Sequence, residues 1–192
     1  MIKQKKVGSI LNKFIPQGST IGIIGGGQLG QMMALDAKQT GMKVIILDPT
    51  PNCPAGQVAD EQIVAPYADT KAIEKLADKA DVLTYEFENV DLNALEDVQD
   101  RVYLPQGTNL LYTTKNRLRE KNFLRQAGVK TAPFMAVHTS AELKDAVKKI
   151  GYPAVLKTSE GGYDGHGQEV LRNKDDLDKC ASILATGDCI LE

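Results

Sequence analysis

Three glycines at a fixed spacing constrain this chain more than any other feature. Gly25, Gly27 and Gly30 stand as G-x-G-x-x-G, directly after the apolar run IGII and directly before QMMALDAKQ. An apolar run that enters a glycine turn and leaves as an amphipathic stretch predicts a buried strand over 21–25 and a helix over Gln28–Gln39. Gly41 stops that helix, and KVIILD (43–48) reads as a second strand. Strand, turn, helix and strand in that order predict a doubly wound parallel sheet. Asp48 closes the second strand, eighteen positions after Gly30. Together these residues form the dinucleotide fingerprint, in which the acid binds ribose. The sequence leaves two readings open at Asp48: ribose binding, or capping of the Pro-rich loop PTPNCPAG at 49–56. Glycine amides and a helix N-terminus make the turn an anion site, without saying which phosphate it takes. The third glycine can also serve only close packing of helix on strand.

The pattern continues with a short third strand at 62–64 and a helix over 71–79 capped at Asp69-Thr70. A fourth strand is expected over 81–88 and a fifth over 102–104. This unit is expected to span 20–115, after an N-terminal extension at 1–19. A second unit then spans 116–192. It opens with a basic amphipathic helix, NRLREKNFLRQAG, stopped by Gly128, and an extended connector, VKTAPFMAV. Ser140 is read as the cap of a helix to Ile150. Strand, glycine-rich loop, strand, a helix over about 174–185 and a strand at DCILE follow. The expected fold class is α/β, a doubly wound parallel-sheet domain followed by part of a second domain. A chain that stops on a fresh strand is expected to continue beyond Glu192.

Net charge is −2, so no general basic face invites nucleic acid. Cys53, Cys180 and Cys189 are scattered and form no C-x-x-C, which predicts reduced thiols and a cytoplasmic protein. The basic segment 1–19 lacks the apolar core and cleavage site of a signal peptide, and no run is long enough to span a membrane.

Two further stretches carry chemistry. YEFENVD (85–91) puts Glu86 and Glu88 at the C-terminal end of a strand, where ligands of open α/β sheets bind. Either they are a solvated strand end, or they bind a hydroxyl or amine. Lys157 ends a later strand, and GGYDGHGQ (161–168) places four glycines in seven residues between two strands. A lysine beside an amide-rich hairpin suits the phosphates of a nucleoside triphosphate, though such a hairpin could be only a tight turn.

GGGQLGQMM, YEFENV, NRLREKNFL, GYPAVLKT and GGYDGHGQ, in this order, resemble the N5-carboxyaminoimidazole ribonucleotide synthases, ATP-grasp enzymes of purine biosynthesis. The resemblance covers about 20–192. It implies that ATP, bicarbonate and aminoimidazole ribonucleotide yield the N5-carboxylated nucleotide, ADP and phosphate, through carboxyphosphate. It also implies that the second unit is the first part of an ATP-grasp domain and that the intact protein is a homodimer. By the same resemblance Gly27, Gln28, Leu29 and Glu86 contact the ribonucleotide. Arg117, Lys157, Gly162, Tyr163, Asp164, Gly165, His166, Gly167, Gln168 and Glu192 contact ATP, with Tyr163 and Asp164 also turned to the ribonucleotide. No catalytic residue is assigned. Mg²⁺ is implied, with ligands expected beyond Glu192 and none within this chain. His166 departs from the family, which usually has Arg or Lys there; a neutral imidazole does not replace a permanent cation. Three other readings compete: a sister ATP-grasp ligase such as a formate-dependent glycinamide ribonucleotide transformylase, an NAD-dependent oxidoreductase, and a fragment that only binds nucleotide.

Overall fold

A computed structural model describes residues 14–162 and 166–192 of the chain. The chain divides into two compact units, Met1–Thr108 and Asn109–Glu192.

The first unit is built on four parallel strands: β1 (Thr20–Ile24), β2 (Lys43–Asp48), β3 (Glu61–Val64) and β4 (Val82–Tyr85). Their order is β3-β2-β1-β4. The chain therefore winds outward from β1 to β3 and then returns to the other side of β1. That reversal makes a switch point between β1 and β4, where open α/β sheets bind ligands at the strands' C-terminal ends.

Side-chain alternation along β1 separates the two faces of the sheet. Ile23 packs with Ala34 and Ala37 of α1 (Gln28–Gln39), alongside Val44 and Ile46 of β2. Gly22 points the other way, toward Leu76 of α2 (Thr70–Lys79). Helix α3 (Leu92–Val98) packs beside α2. Asp69 and Asp91 cap these two helices by accepting from Ala72 N and Ala94 N at 3.1 and 2.9 Å. Helices on both faces of a parallel sheet are the expected doubly wound class.

Two expectations need correction here. Residues 102–104 form no strand. Tyr103 makes a single parallel bridge to Val82, and its carbonyl accepts from Leu83 N at 2.9 Å. A turn returning to Val98 O precedes it and Pro105, with no N–H, follows. The apolar alternation is satisfied anyway, because Val102 and Leu104 are buried. β4 ends at Tyr85 rather than at residue 88. β1 turns away after Ile24, and the last contact of the ladder is Glu86 N donating to Ile24 O at 3.2 Å.

The second unit begins with α4 (Asn109–Thr114) and α5 (Arg117–Gln126), the latter capped by Asn116. Its sheet is antiparallel, from β5 (Met135–Val137), β6 (Ala154–Thr158), β7 (Gln168–Leu171) and β8 (Cys189–Leu191), in the order β5-β8-β6-β7. The connector expected at 129–137 is thus a strand in its last three residues. Helix α6 (Ser140–Ile150) is capped by Thr139, which accepts from Glu142 N at 3.1 Å, rather than by Ser140. The helix expected over 174–185 is a 3-10 turn, Lys174–Cys180, followed by α7 (Ala181–Leu184). Leu143, Ala146 and Val147 of α6 pack with Leu156, Leu171, Cys180 and Leu191 as this unit's core.

Candidate functional site

The glycine turn leaves β1 at Gly25 and enters α1 at Gln28. Gly30 is where the turn needs glycine most. A Cβ there would lie 2.2 Å from the carbonyl oxygen of Gly25, so α1 rests directly on the turn's backbone. No side chain caps α1, and Gln28 and Leu29 of its first turn are exposed. Free amide groups at an open helix start suit an anion.

Asp48 is buried, and all its bonds are internal. Oδ2 accepts from Gly26 N at 2.8 Å and from the Tyr67 hydroxyl at 2.5 Å; Oδ1 accepts from Thr50 N at 2.8 Å. The acid of the fingerprint therefore pins the glycine turn to the 49–56 loop, which is the capping alternative. Burial pushes its carboxyl up, but the bonds from Tyr67, Thr50 and Gly26 together hold it below the ordinary carboxylate range. Burial and then the Asp48 bond push the Tyr67 phenol well above its usual range. Tyr67 also packs edge-on to Phe87, with ring centroids 4.5 Å apart.

Glu86 lies just past β4, half-buried and against the turn. A Cβ on Gly25 would meet its Oε1 at 2.7 Å. Burial, then the charge of Asp48, pushes its carboxyl up. Gly25, Gly26, Gly27, Asp48 and Glu86 thus meet at the switch point, whereas Glu88 is exposed on the following loop. Tyr67 was not singled out from sequence; its only signal is a tyrosine in the loop between β3 and α2.

Asp48 yields a testable acid dependence. Its folded carboxyl lies below the unfolded value, so its stabilisation is fully present above that value and is lost as pH falls through the folded one. Asp48→Asn puts an amide donor against N–H donors, and should cost about 2–3 kcal/mol near neutral pH. Urea unfolding of both proteins should show the gap closing below about pH 4. A gap that stayed constant down to about pH 2 would contradict this account.

In the second unit, Lys157 sits on β6, half-buried, with Nζ 3.4 Å from Glu192 Oε2. Lys121 Nζ of α5 lies 3.3 Å from the same oxygen. Arg117 bonds to backbone carbonyls. Its guanidinium donates to the carbonyls of Thr158, Gly161 and Gly162 at 2.9, 2.6 and 2.8 Å, and its own N–H to Ser159 O at 2.8 Å. It staples the base of the glycine-rich loop. Gly162 has φ +72°, and a Cβ there would meet His166 O at 2.5 Å, so the two arms of the loop close tightly at this point. His166 is exposed, Gly167 is half-buried and Gln168 opens β7. Tyr163, Asp164 and Gly165 lie outside the described residues. A cavity of about 510 Å³ is lined in part by Thr158, Ser159, Gly162, His166 and Gly167. Lys121 was missed from sequence, since in NRLREKNFL it reads as one more solvated charge.

Among the described residues no group of three or more His, Cys, Asp or Glu is placed to hold a metal ion. No described helix is long and apolar enough to cross a membrane.

Comparison with known proteins places both units. The family model of the ribonucleotide synthetase preATP-grasp domain matches residues 18–113, and that of the ATP-grasp domain matches 122–192. The N5-carboxyaminoimidazole ribonucleotide synthase of Bacillus subtilis (strain 168) is 52% identical over 180 residues, covering 94% of this chain and 47% of that protein. The crystal structure of the Staphylococcus aureus N5-carboxyaminoimidazole synthetase with ADP superposes with a TM-score of 0.92 at 42% identity, over 96% of this chain and 49% of that one. The Aspergillus clavatus synthase with ADP and 5-aminoimidazole ribonucleotide gives 0.80 at 30% identity, over 92% and 46%. The chain spans about half the length of the relatives it matches.

Proposed function

The chain belongs to the ribonucleotide synthetase family with preATP-grasp and ATP-grasp domains, and from that premise we propose that the whole protein carboxylates 5-aminoimidazole ribonucleotide with bicarbonate and ATP. The observation that carries this reading is the tethered Asp48. With Gly26, Thr50 and Tyr67 on its oxygens, it ties the turn to the loop that follows, which favours capping over ribose binding. The glycine turn is then free to serve a mononucleotide substrate.

In the first unit, the amides at the start of α1, by Gly27, Gln28 and Leu29, would receive the phosphate of the ribonucleotide. Glu86 would accept from a hydroxyl or amine of the same molecule. In the second unit, Lys157 and the amides of 162–168 would neutralise and wrap the ATP phosphates, and Glu192 would open the adenosine-binding segment. Arg117 would hold the loop's base through the carbonyls that it already binds. A bicarbonate oxygen attacks the γ-phosphorus as the bond to ADP breaks. The substrate amine then attacks the carbon of the resulting carboxyphosphate, loses a proton and expels inorganic phosphate. Magnesium offsets phosphate charge in such reactions. Its ligands are proposed to lie in the part of the relatives that this chain does not span. The free, buried Cys53, Cys180 and Cys189 fit a reducing cytoplasm, and a homodimer is proposed on the resemblance alone.

The whole protein should release ADP only when both aminoimidazole ribonucleotide and bicarbonate are present. Equal release with glycinamide ribonucleotide and formate would move the assignment to the sister ligase. Saturable NADH binding in a fluorescence titration would restore the oxidoreductase reading.

A further inference from the structure

We propose that Lys121 is a positioning cation of the nucleotide site: it holds Glu192 so that Lys157 can leave that carboxylate for the phosphates of a bound nucleotide. The inference rests on the ATP-binding reading above and adds a residue and a charge exchange to it.

The three groups share one face of the antiparallel sheet. Val155 and Lys157 are two apart on β6 and so point the same way. Glu192 pairs with Val155 through two backbone bonds, Val155 N to Glu192 O at 2.7 Å and Glu192 N to Val155 O at 3.0 Å, which places its side chain beside Lys157. Lys121 reaches the same carboxylate oxygen from α5. Its 3.3 Å, and the 3.4 Å of Lys157, are long beside the 2.6 Å of the Lys38–Asp60 and Lys79–Glu61 pairs. They also exceed the roughly 2.7–2.9 Å of a charge-assisted bond. Neither ammonium owns the oxygen.

Two cations and one carboxylate sum to one positive charge. The side chains carrying it are 20%, 28% and 14% exposed for Lys121, Lys157 and Glu192. A surplus charge that is mostly shielded from water favours an incoming anion. If Lys157 were the sole partner of Glu192, giving it to a phosphate would strand a mostly buried carboxylate, the costly state for such a pair. With Lys121 present, the exchange leaves every charge compensated.

The test is calorimetric titration of the whole protein with ADP and, separately, adenosine, which has no phosphates. Lys121→Met should weaken ADP about tenfold and leave adenosine within about twofold. Adding Glu192→Gln should restore ADP binding to within about twofold of the Glu192→Gln single variant, because the carboxylate that needs a counter-ion is gone. A merely structural lysine would weaken ADP and adenosine alike. ADP binding unchanged by Lys121→Met, or a double variant as weak as Lys121→Met alone, would overturn the proposal. Wild-type protein that binds neither ligand would overturn the ATP reading itself, and is told apart by the unmutated titration.

Discussion

Replacing Lys157 by alanine in the whole protein is expected to lower kcat/KM for ATP about a hundredfold. A charge-assisted contact to a phosphate is worth on the order of 2–3 kcal/mol, and each 1.4 kcal/mol is about tenfold in rate. The Michaelis constant for the ribonucleotide should stay within about twofold, because the resemblance puts Lys157 on ATP and not on the ribonucleotide. Lys157→Arg should recover only part of the loss, since a planar fork does not replace a compact ammonium. Steady-state kinetics with each substrate varied in turn decides the matter. A Lys157→Ala enzyme with unaltered kcat/KM for ATP would remove this lysine from the site.

The second large effect is on stability. Gly30→Ala sets two effects of opposite sign against each other. Alanine is a better helix former than glycine by about 1 kcal/mol. Its Cβ, however, would lie 2.2 Å from Gly25 O and 3.1 Å from Gly25 C. These are backbone atoms of the turn, and Gly25 N is itself bonded to Leu47 O at 3.0 Å. The turn cannot yield without disturbing β1 and β2, so α1 must lift away. Overpacking of this severity costs about 3 kcal/mol or more, so the net loss should be about 2 kcal/mol and the melting temperature should drop by roughly 10 °C. Circular dichroism melts of the two proteins measure it. A variant that melts at or above the wild type would mean that α1 shifts freely and that the third glycine is not a packing device.

What could be read from sequence follows the range of the interactions involved. The strands and helices around the glycine turn were legible because apolar periodicity and glycine spacing act within about ten residues. Asp48 was ambiguous because its role depends on Tyr67, nineteen positions away, whose hydroxyl donates to its carboxylate. Residues 102–104 show apolar alternation without a ladder. Burial alone satisfies the pattern, and Pro105 removes the donor that pairing would require. β5 was hidden for the opposite reason. Its three residues carry little pattern of their own and are ordered by β8, more than fifty positions later. Lys121 could not be found at all from its neighbours, since its partner Glu192 is 71 residues on. Arg117 was singled out, but sequence could not show that it bonds the carbonyls of Thr158, Gly161 and Gly162.

The order β5-β8-β6-β7 has a consequence for how the second unit comes into being. Its sheet is closed by a late arrival. β6 and β7 are a local hairpin, but β5 touches β6 only through β8, which sits between them and is the last of the four to be synthesised. A growing polypeptide that has not yet delivered Cys189–Leu191 holds a lone strand and a hairpin, each with an unpaired edge. The interval is filled by α6 and the 3-10 turn, whose Leu143 and Cys180 belong to the same core and can gather before the strand arrives. Emergence of three residues thus turns two open edges into one continuous sheet.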